Sequence, residues 1–321
     1  MTSDSSRIEP WPSLPFSEWG DTSETLHLWT QIVGKVRLSL TPWLNHSWHV
    51  TLYPTARGLT TGPIPAGRCT IELAFDFFDH RLSITTSAGE LRTIALEPMS
   101  VAAFYRAIMA ELKSLHIEPT FFGEPNEVAD PIPFADDEQH ASYDPGYAQR
   151  FWVAMSSATR VMSEFRARFL GKCSPVHFFW GSFDLAVTRF SGKAAPTHPG
   201  GVPGLPDWVT VEAYSHEVSS AGFWTGNAEV PPIFYSYAYP TPEAFGSQAV
   251  RPSDAYFHKD LGEFVLPYDA VRQADSPENH LMEFLQSTYE AAAETGAWDR
   301  KALEFTAPRE VSTTSRTSDN A

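Results

Sequence analysis

The sequence predicts an α+β protein built from two pseudo-repeats of helix, antiparallel β-meander and helix, packed as an internal pseudo-dimer. Helical periodicity precedes strand-like runs in each half. The two helices end in Q-I-V-G-K and R-F-L-G-K, with their lysines at Lys35 and Lys172. In addition, T-I-E-L-A-F-D-F from Thr70 aligns with T-V-E-A-Y-S-H-E from Thr210. We interpret these matches as an ancient duplication.

The repeats and the composition predict five segments along the chain. They are a loose arm at 1–15, a first repeat at 16–116, a proline-rich acidic connection at 117–146, a second repeat at 147–304, and a disordered tail at 305–321.

In the first repeat, apolar residues at helical spacing predict a helix of about three turns from Asp21, which Gly34 ends. Strict alternation from Thr70 to Phe77 indicates a strand with one buried face. A second helix follows Pro98. The predicted strands are 35–40, 48–53, 69–78, 80–86 and 91–96.

In the second repeat, apolar residues at three- and four-residue steps predict a long helix from Tyr147 to Phe169. The stretch from Ser174 to Phe190, S-P-V-H-F-F-W-G-S-F-D-L-A-V-T-R-F, indicates two strands joined at Gly181-Ser182. A helix is expected from about Pro277 to Glu294, and a short one around 298–304.

Bulk composition excludes several classes of function. A formal net charge of −16 over 321 residues argues against nucleic-acid binding and against attraction to anionic lipid. The start of the chain has no signal-peptide pattern, and no apolar run reaches about 18 residues. With only two cysteines, far apart in sequence, we expect a cytoplasmic protein that does not enter the membrane.

The alignment of the repeats predicts a pocket in the second half. Leu73, Phe75 and Phe77 correspond to Ala213, Ser215 and Glu217, so small or polar groups replace large apolar ones. Such an exchange leaves a space that a ligand can fill. The expected lining is Ser215, Glu217, Ser219, Phe223, Trp224, Tyr235 and Tyr237. The alternative is a bulge that turns Glu217 to water.

Polar residues within apolar strands are the catalytic candidates, because burying an unpaired charge is costly. We expect His177 and His216 to work as general acid and base with Glu217 or Asp184. A structural ion pair between Asp184 and Arg189 is the alternative. Two histidines and one carboxylate could also hold a divalent metal, but His216 and Glu217 are adjacent on a strand and point to opposite faces, so we assign no metal ligands and leave metal binding open.

Further ligand-binding candidates surround these residues. They are Trp180, Arg189, Tyr214, Ser215, Ser219, Trp224, Tyr235 and, in a Gly- and Thr-rich loop suited to anions, Arg57. The usual nucleotide fingerprints do not occur, so the cofactor and the oligomeric state stay open.

Three blocks, L-H-L-W-T-Q-I-V-G-K-V-R-L, S-P-V-H-F-F-W-G-S-F-D-L-A-V-T-R-F and E-A-Y-S-H-E-V-S-S-A-G-F-W, resemble an uncharacterised, mainly bacterial family with a domain of unknown function. The resemblance spans about Trp11 to Glu304 and implies no activity. From the residues we expect an enzyme that acts on a small organic molecule in an aromatic pocket. The alternatives are a non-catalytic small-molecule or sugar-binding module and a pseudo-dimeric scaffold.

Overall fold

The computed structural model describes residues 9–202 and 204–305, and it confirms the predicted α+β class. The predicted arm at 1–8 and tail at 306–321 lie outside the described residues. The helices are α1 Phe16–Leu40, α2 Val101–Ser114, α3 Pro145–Ala167, α4 Asp207–Ala213, α5 Tyr268–Arg272, α6 Pro277–Thr295 and α7 Arg300–Leu303. The strands are β1 Tyr53–Pro54, β2 Gly58–Thr60, β3 Ile64–Ala66, β4 Cys69–Asp76, β5 Arg81–Thr86, β6 Leu91–Ala95, β7 His177–Phe179, β8 Asp184–Ala194, β9 His216–Trp224, β10 Ile233–Tyr239, β11 Tyr256–His258 and β12 Glu263–Pro267.

The strands form two antiparallel sheets. The first has the order β1-β2-β4-β5-β6, with β3 paired to the other half of β4. The second has the order β11-β12-β10-β9-β8-β7. Leu52 and Phe178 exchange backbone hydrogen bonds of 2.9 and 2.8 Å, so the sheets meet where β1 approaches β7.

Local sequence explains several elements. On β4, Ile71, Leu73 and Phe75 are all 2% exposed or less, which confirms the predicted alternation. The Ser100 hydroxyl caps α2 by accepting from the Ala103 N–H at 3.1 Å, and Asp144 caps α3 through the Tyr147 N–H at 2.9 Å.

The first helix is longer than predicted. It runs through Gly34 to Leu40, so the expected strand at 35–40 is wrong. Gly34 is a packing residue rather than a stop, because a Cβ there would overlap the ring of Trp180. The alternation of Val36, Leu38 and Leu40 is too short to distinguish a strand from a helix.

Two other segments also differ from the predictions. Of the strand predicted at 48–53, residues 48–50 form a turn after the 3-10 helix Asn45–Ser47, and only Leu52, in an isolated bridge, and Tyr53, in β1, pair with other strands. The segment from Thr210, aligned above with β4, comprises the end of α4, the turn that follows it and the first two residues of β9. The correspondence of Leu73, Phe75 and Phe77 with Ala213, Ser215 and Glu217 is therefore not a structural one, and the duplication stays a prediction.

A single buried apolar cluster extends from Trp11 to Trp298. Trp11 and Leu14 are buried, and the Tyr268 hydroxyl donates to the Pro12 carbonyl at 2.9 Å, so residues 9–15 pack onto the body. Among the residues that the structure describes, no helix combines the length and the apolar character needed to cross a membrane.

Candidate functional site

One face of the second sheet gathers carboxyl and phenol groups. Strand register places Ala186, Gly222, Tyr235 and Val265 side by side across four strands. Side chains two residues apart share a face. Asp184 on β8, Tyr237 on β10 and Glu263 on β12 therefore lie on this same face, which we call the acidic face.

Tyr235 and Asp184 are joined across the intervening strand. A Cβ on Gly222 would overlap the Tyr235 ring, so glycine lets that ring lie across β9. The Tyr235 hydroxyl donates to one Asp184 oxygen, and the Ser182 hydroxyl donates to the other. Asp184 is 6% exposed, so these two hydroxyls are important for keeping its charge in the interior.

Glu127 reaches the acidic face from the proline-rich acidic segment 117–146. Its carboxyl lies against Gly181, where a Cβ would overlap it. Helix α1 holds this loop, because the Gln31 amide donates to the Asn126 carbonyl and accepts from the Asn126 N–H, both at 2.8 Å. Lys35 donates to the Asn126 side chain at 2.5 Å.

Phenols form the other part of the acidic face. The rings of Tyr235 and Tyr237 are stacked with centroids 6.2 Å apart. The Tyr237 hydroxyl lies 2.9 Å from that of Tyr214, the residue that follows α4. Since Ser236 pairs with Phe264, Glu263 lies across from Tyr237. The face thus combines apolar ring surface with hydrogen-bonding groups, which is typical of small-molecule sites.

Burial and the charge of Asp184 raise the affinity of Glu127 and Glu263 for protons. Desolvation, with the charge of Asp184, raises the pKa of Glu127 from 4.5 to about 7. The same two causes raise the pKa of Glu263 to about 7. Burial raises the pKa of Asp184, and the hydrogen bonds from Ser182 and Tyr235 oppose that rise. In the part of the chain described, no basic side chain forms an ion pair with any of the three.

Two non-glycine residues at the acidic face have a left-handed backbone. Glu127 has φ 57°, and Phe183, immediately before Asp184, also has φ 57°. This conformation is unfavourable for a bulky side chain such as phenylalanine, and such residues concentrate at functional sites. The backbone therefore presents Glu127 and Asp184 at a local energetic cost.

His177 is on the same side of the sheet as Asp184, paired in register with Ala186. Its ring is fully buried between Trp48, Tyr53 and Phe179, and neither ring nitrogen has a hydrogen-bond partner within the described residues. Burial, with a smaller contribution from nearby arginines, lowers its pKa to about 3. His177 is therefore neutral at physiological pH.

His216 and Glu217 are far from Asp184. Asp184 pairs with Trp224, and β9 runs seven residues from there to Glu217, or about 23 Å. Glu217 also lies on the opposite face, where it accepts from Ser191 at 2.8 Å. A cavity of about 170 Å³ adjoins it, lined also by Ala238, Pro240, Ala292 and Trp298.

The other predicted residues of β9 are dispersed as well. Ser215 lies in the turn before the strand, with its hydroxyl 3.1 Å from the His216 ring. Ser219 is buried opposite Arg189. Trp224 is half-buried at the far end, in register with Asp184. Trp224 therefore shares the acidic face with Gly222, and Tyr214, Trp224 and Tyr235 are the predicted ligand-binding residues on that face.

Asp184 and Arg189 do not form the alternative ion pair, because five residues along one strand place them on opposite faces. The Arg189 guanidinium lies over the rings of Phe165 and Tyr289, at 3.4 and 4.3 Å from their centroids. The predicted ion pair is therefore wrong, and Arg189 stabilises the packing of helices α3 and α6 on the sheet.

Trp180 and Arg57 have structural partners. The Trp180 ring N–H donates to the Val50 carbonyl at 2.6 Å. Arg57 is exposed and pairs with Asp76 at 2.7 Å and Asp79 at 3.0 Å, so acidic groups already occupy the proposed anion site. Within residues 9–202 and 204–305, no group of three or more His, Cys, Asp or Glu is arranged to hold a metal ion.

Sequence reasoning missed Glu127, Ser182 and Glu263. Segment 117–146, which carries Glu127, packs onto the body, since Phe134 in it is fully buried. No spacing in the sequence relates Glu127 or Glu263 to Asp184, because only the fold brings them together.

Comparison with known proteins places the whole described body in one family. The model of a family of unknown function, DUF5996, matches residues 11–305. Searches of curated proteins and of solved structures found no match. Because the match covers nearly the entire chain, the protein belongs to the DUF5996 family of unknown function.

Proposed function

We propose that the chain is an enzyme that acts on a small organic molecule by acid–base chemistry on the acidic face. The observation that carries this proposal is the placement of Glu127 and Glu263 on one face with the buried Asp184 carboxyl, which two hydroxyl donors hold. Desolvation, followed by the charge of Asp184, raises the pKa of both glutamates to about 7. A carboxyl group with a pKa near the working pH can both donate and accept a proton.

In this proposal Glu127 and Glu263 exchange protons with the substrate, and the charge of Asp184 contributes to their raised pKa values. Tyr235 and Tyr237 provide stacked ring surface for the body of the substrate. Carboxyl and phenol groups without a basic partner disfavour an anion, so the substrate class is neutral or positively charged. His216 and Glu217 have no role here, because the fold places them far from Asp184. His177 has none because its ring is fully buried among aromatic side chains.

A non-catalytic module for a small molecule or a sugar is the second candidate. The stacking of Tyr235 on Tyr237 and the Tyr214–Tyr237 hydroxyl contact favour it, because rings with hydroxyl groups suit a hydroxylated ligand. A module of this kind would bind its ligand without turnover.

Turnover of neutral and amine-containing metabolites by purified protein tests the proposal. For a substrate so identified, Glu263→Gln or Glu127→Gln lowers kcat by about 10²-fold or more, the usual loss when a general acid or base is removed. Glu283→Gln, at an exposed position on α6, is the matched control and leaves kcat unchanged. Full activity in both site variants would contradict the acid–base role. Binding without turnover would favour the module.

We also propose a cytoplasmic location. Cys69 and Cys173 are both free thiols, and burial raises the pKa of Cys173 to about 11, which suits a reducing compartment.

A further inference from the structure

Lys172, between α3 and β7, has a base within reach of its amine. Its Nζ lies 2.5 Å from Nε2 of His46. The other ring nitrogen of His46, Nδ1, lies 2.8 Å from the Ala213 carbonyl oxygen. A carbonyl only accepts, so Nδ1 carries the proton, and the lone pair of Nε2 points at the lysine.

The loop that carries His46 holds it in an unusual conformation. His46 and Ser47 have φ 59° and 57°, in the left-handed region. The backbone N–H of His46 donates to Glu212 at 2.7 Å, which fixes the loop to α4. Consecutive non-glycine residues of this kind carry strain that the surrounding contacts must support.

The surroundings of the amine are apolar, yet Lys172 itself is exposed to solvent. Its Nζ lies 4.8 Å from the centroid of Phe190 and 5.4 Å from that of Trp48. The charged groups that face the amine are His46 and Glu212, with His216 behind His46. Desolvation lowers the pKa of Lys172, and Glu212 opposes this change.

A nucleophile beside a base that a third group orients is the arrangement found in covalent catalysis. We propose that Lys172 is a nucleophilic amine that condenses reversibly with the carbonyl carbon of an aromatic aldehyde, with His46 as its base. The half-buried Trp48 ring offers a flat surface for the aromatic body, and the buried Phe190 ring packs beneath the amine. This site is distinct from the acidic face and does not depend on the function proposed there.

The condensation is balanced without an oxidant or a reductant. His46 Nε2 takes a proton from the ammonium group, and the freed lone pair of Nζ forms a C–N bond as the C=O π bond opens onto oxygen. The resulting carbinolamine, protonated on its hydroxyl by His46, expels water as the C=N bond forms. The products are a Schiff base and one water molecule.

Reductive trapping tests this inference. Full-length protein is treated with benzaldehyde and sodium cyanoborohydride at pH 7, and peptide mass mapping follows the labelling rate of each of the six lysines in the sequence. Lys172 reacts at least about tenfold faster than the exposed Lys113, because Nε2 of His46 lies 2.5 Å from its Nζ and can take its proton. Equal rates for Lys172 and Lys113 would overturn the proposal.

Two variants separate the base from the environment of the amine. Asn tolerates the left-handed backbone, so His46→Asn removes the base and is expected to lower the Lys172 rate to that of Lys113. Lys172→Arg keeps a cation over the rings and abolishes the fast label. An unchanged Lys172 rate in folded His46→Asn, checked by circular dichroism, would show that the lysine only anchors the loop. Should that variant misfold, the ranking of lysines in the unmodified protein still decides.

Discussion

At the scale of single residues, the acidic face depends on the position of the Tyr235 ring. Gly222 has no side chain, so the Tyr235 ring crosses β9 and places its hydroxyl on Asp184. The sequence predicted a role for Asp184 as a polar group in an apolar strand, and for Tyr235 as part of an aromatic pocket lining. It could not predict their contact, which requires the register of three strands.

Removing this hydroxyl tests the contact. Tyr235→Phe leaves one oxygen of the buried Asp184 without its donor, and we expect a loss of about 1–3 kcal/mol in the free energy of unfolding. Tyr239→Phe is the matched control, because its hydroxyl makes an exposed bond of 3.1 Å to the Pro196 carbonyl. Urea denaturation measures both variants. A loss no larger for Tyr235→Phe than for the control would show that Asp184 does not depend on this donor.

At the scale of elements, the apolar periodicity of helix α1 was interpreted correctly, but the glycine within it was not. Its apolar periodicity predicted a helix, but Gly34 was taken as its end. Glycine ends helices often, and it also lies where another group comes close, so the sequence leaves both meanings open. Trp180, which determines the choice, lies 146 residues further along the chain, and only the fold brings its ring to Gly34.

The sign of the stability change caused by one substitution distinguishes a helix-ending glycine from a packing glycine. In an exposed helix interior, Gly→Ala stabilises by about 1 kcal/mol. Because a Cβ at Gly34 would overlap the Trp180 ring, we expect Gly34→Ala to destabilise instead, by about 1–3 kcal/mol in chemical denaturation. Gly123→Ala, where a Cβ meets nothing within 4 Å, is the control and has little effect. Stabilisation by Gly34→Ala would contradict the packing role.

At the scale of the whole molecule, the first half of the chain positions the site in the second. Gln31 of α1 holds the backbone of Asn126 next to Glu127, and His27 lies 2.8 Å from the carbonyl oxygen of Gly181, where the turn to Asp184 begins. The fold class and most helices were predictable from periodicity. The acidic face was not, since its carboxyl groups come from a loop and two strands that no local pattern connects.

The proton affinity of the acidic face also affects stability. The folded-state pKa values of Glu127 and Glu263 lie above their ordinary value of 4.5, so their contribution is present below pH 4.5 and is lost as pH rises through about 7. The effect of His177 has the opposite sign. Because its pKa is lowered, the protein loses stability as pH falls below 6.5.

The measurement that tests the acid–base site most directly is a carboxyl ¹³C NMR titration of Glu127 and Glu263 in the intact protein, which reports their pKa values. We predict midpoints near pH 7 for both, and we predict that Asp184→Asn moves both toward 4.5 because it removes the neighbouring charge. Glu283, exposed on α6, serves as the internal reference. Midpoints near 4.5 for Glu127 and Glu263 in the unmodified protein would contradict the acid–base site on this face.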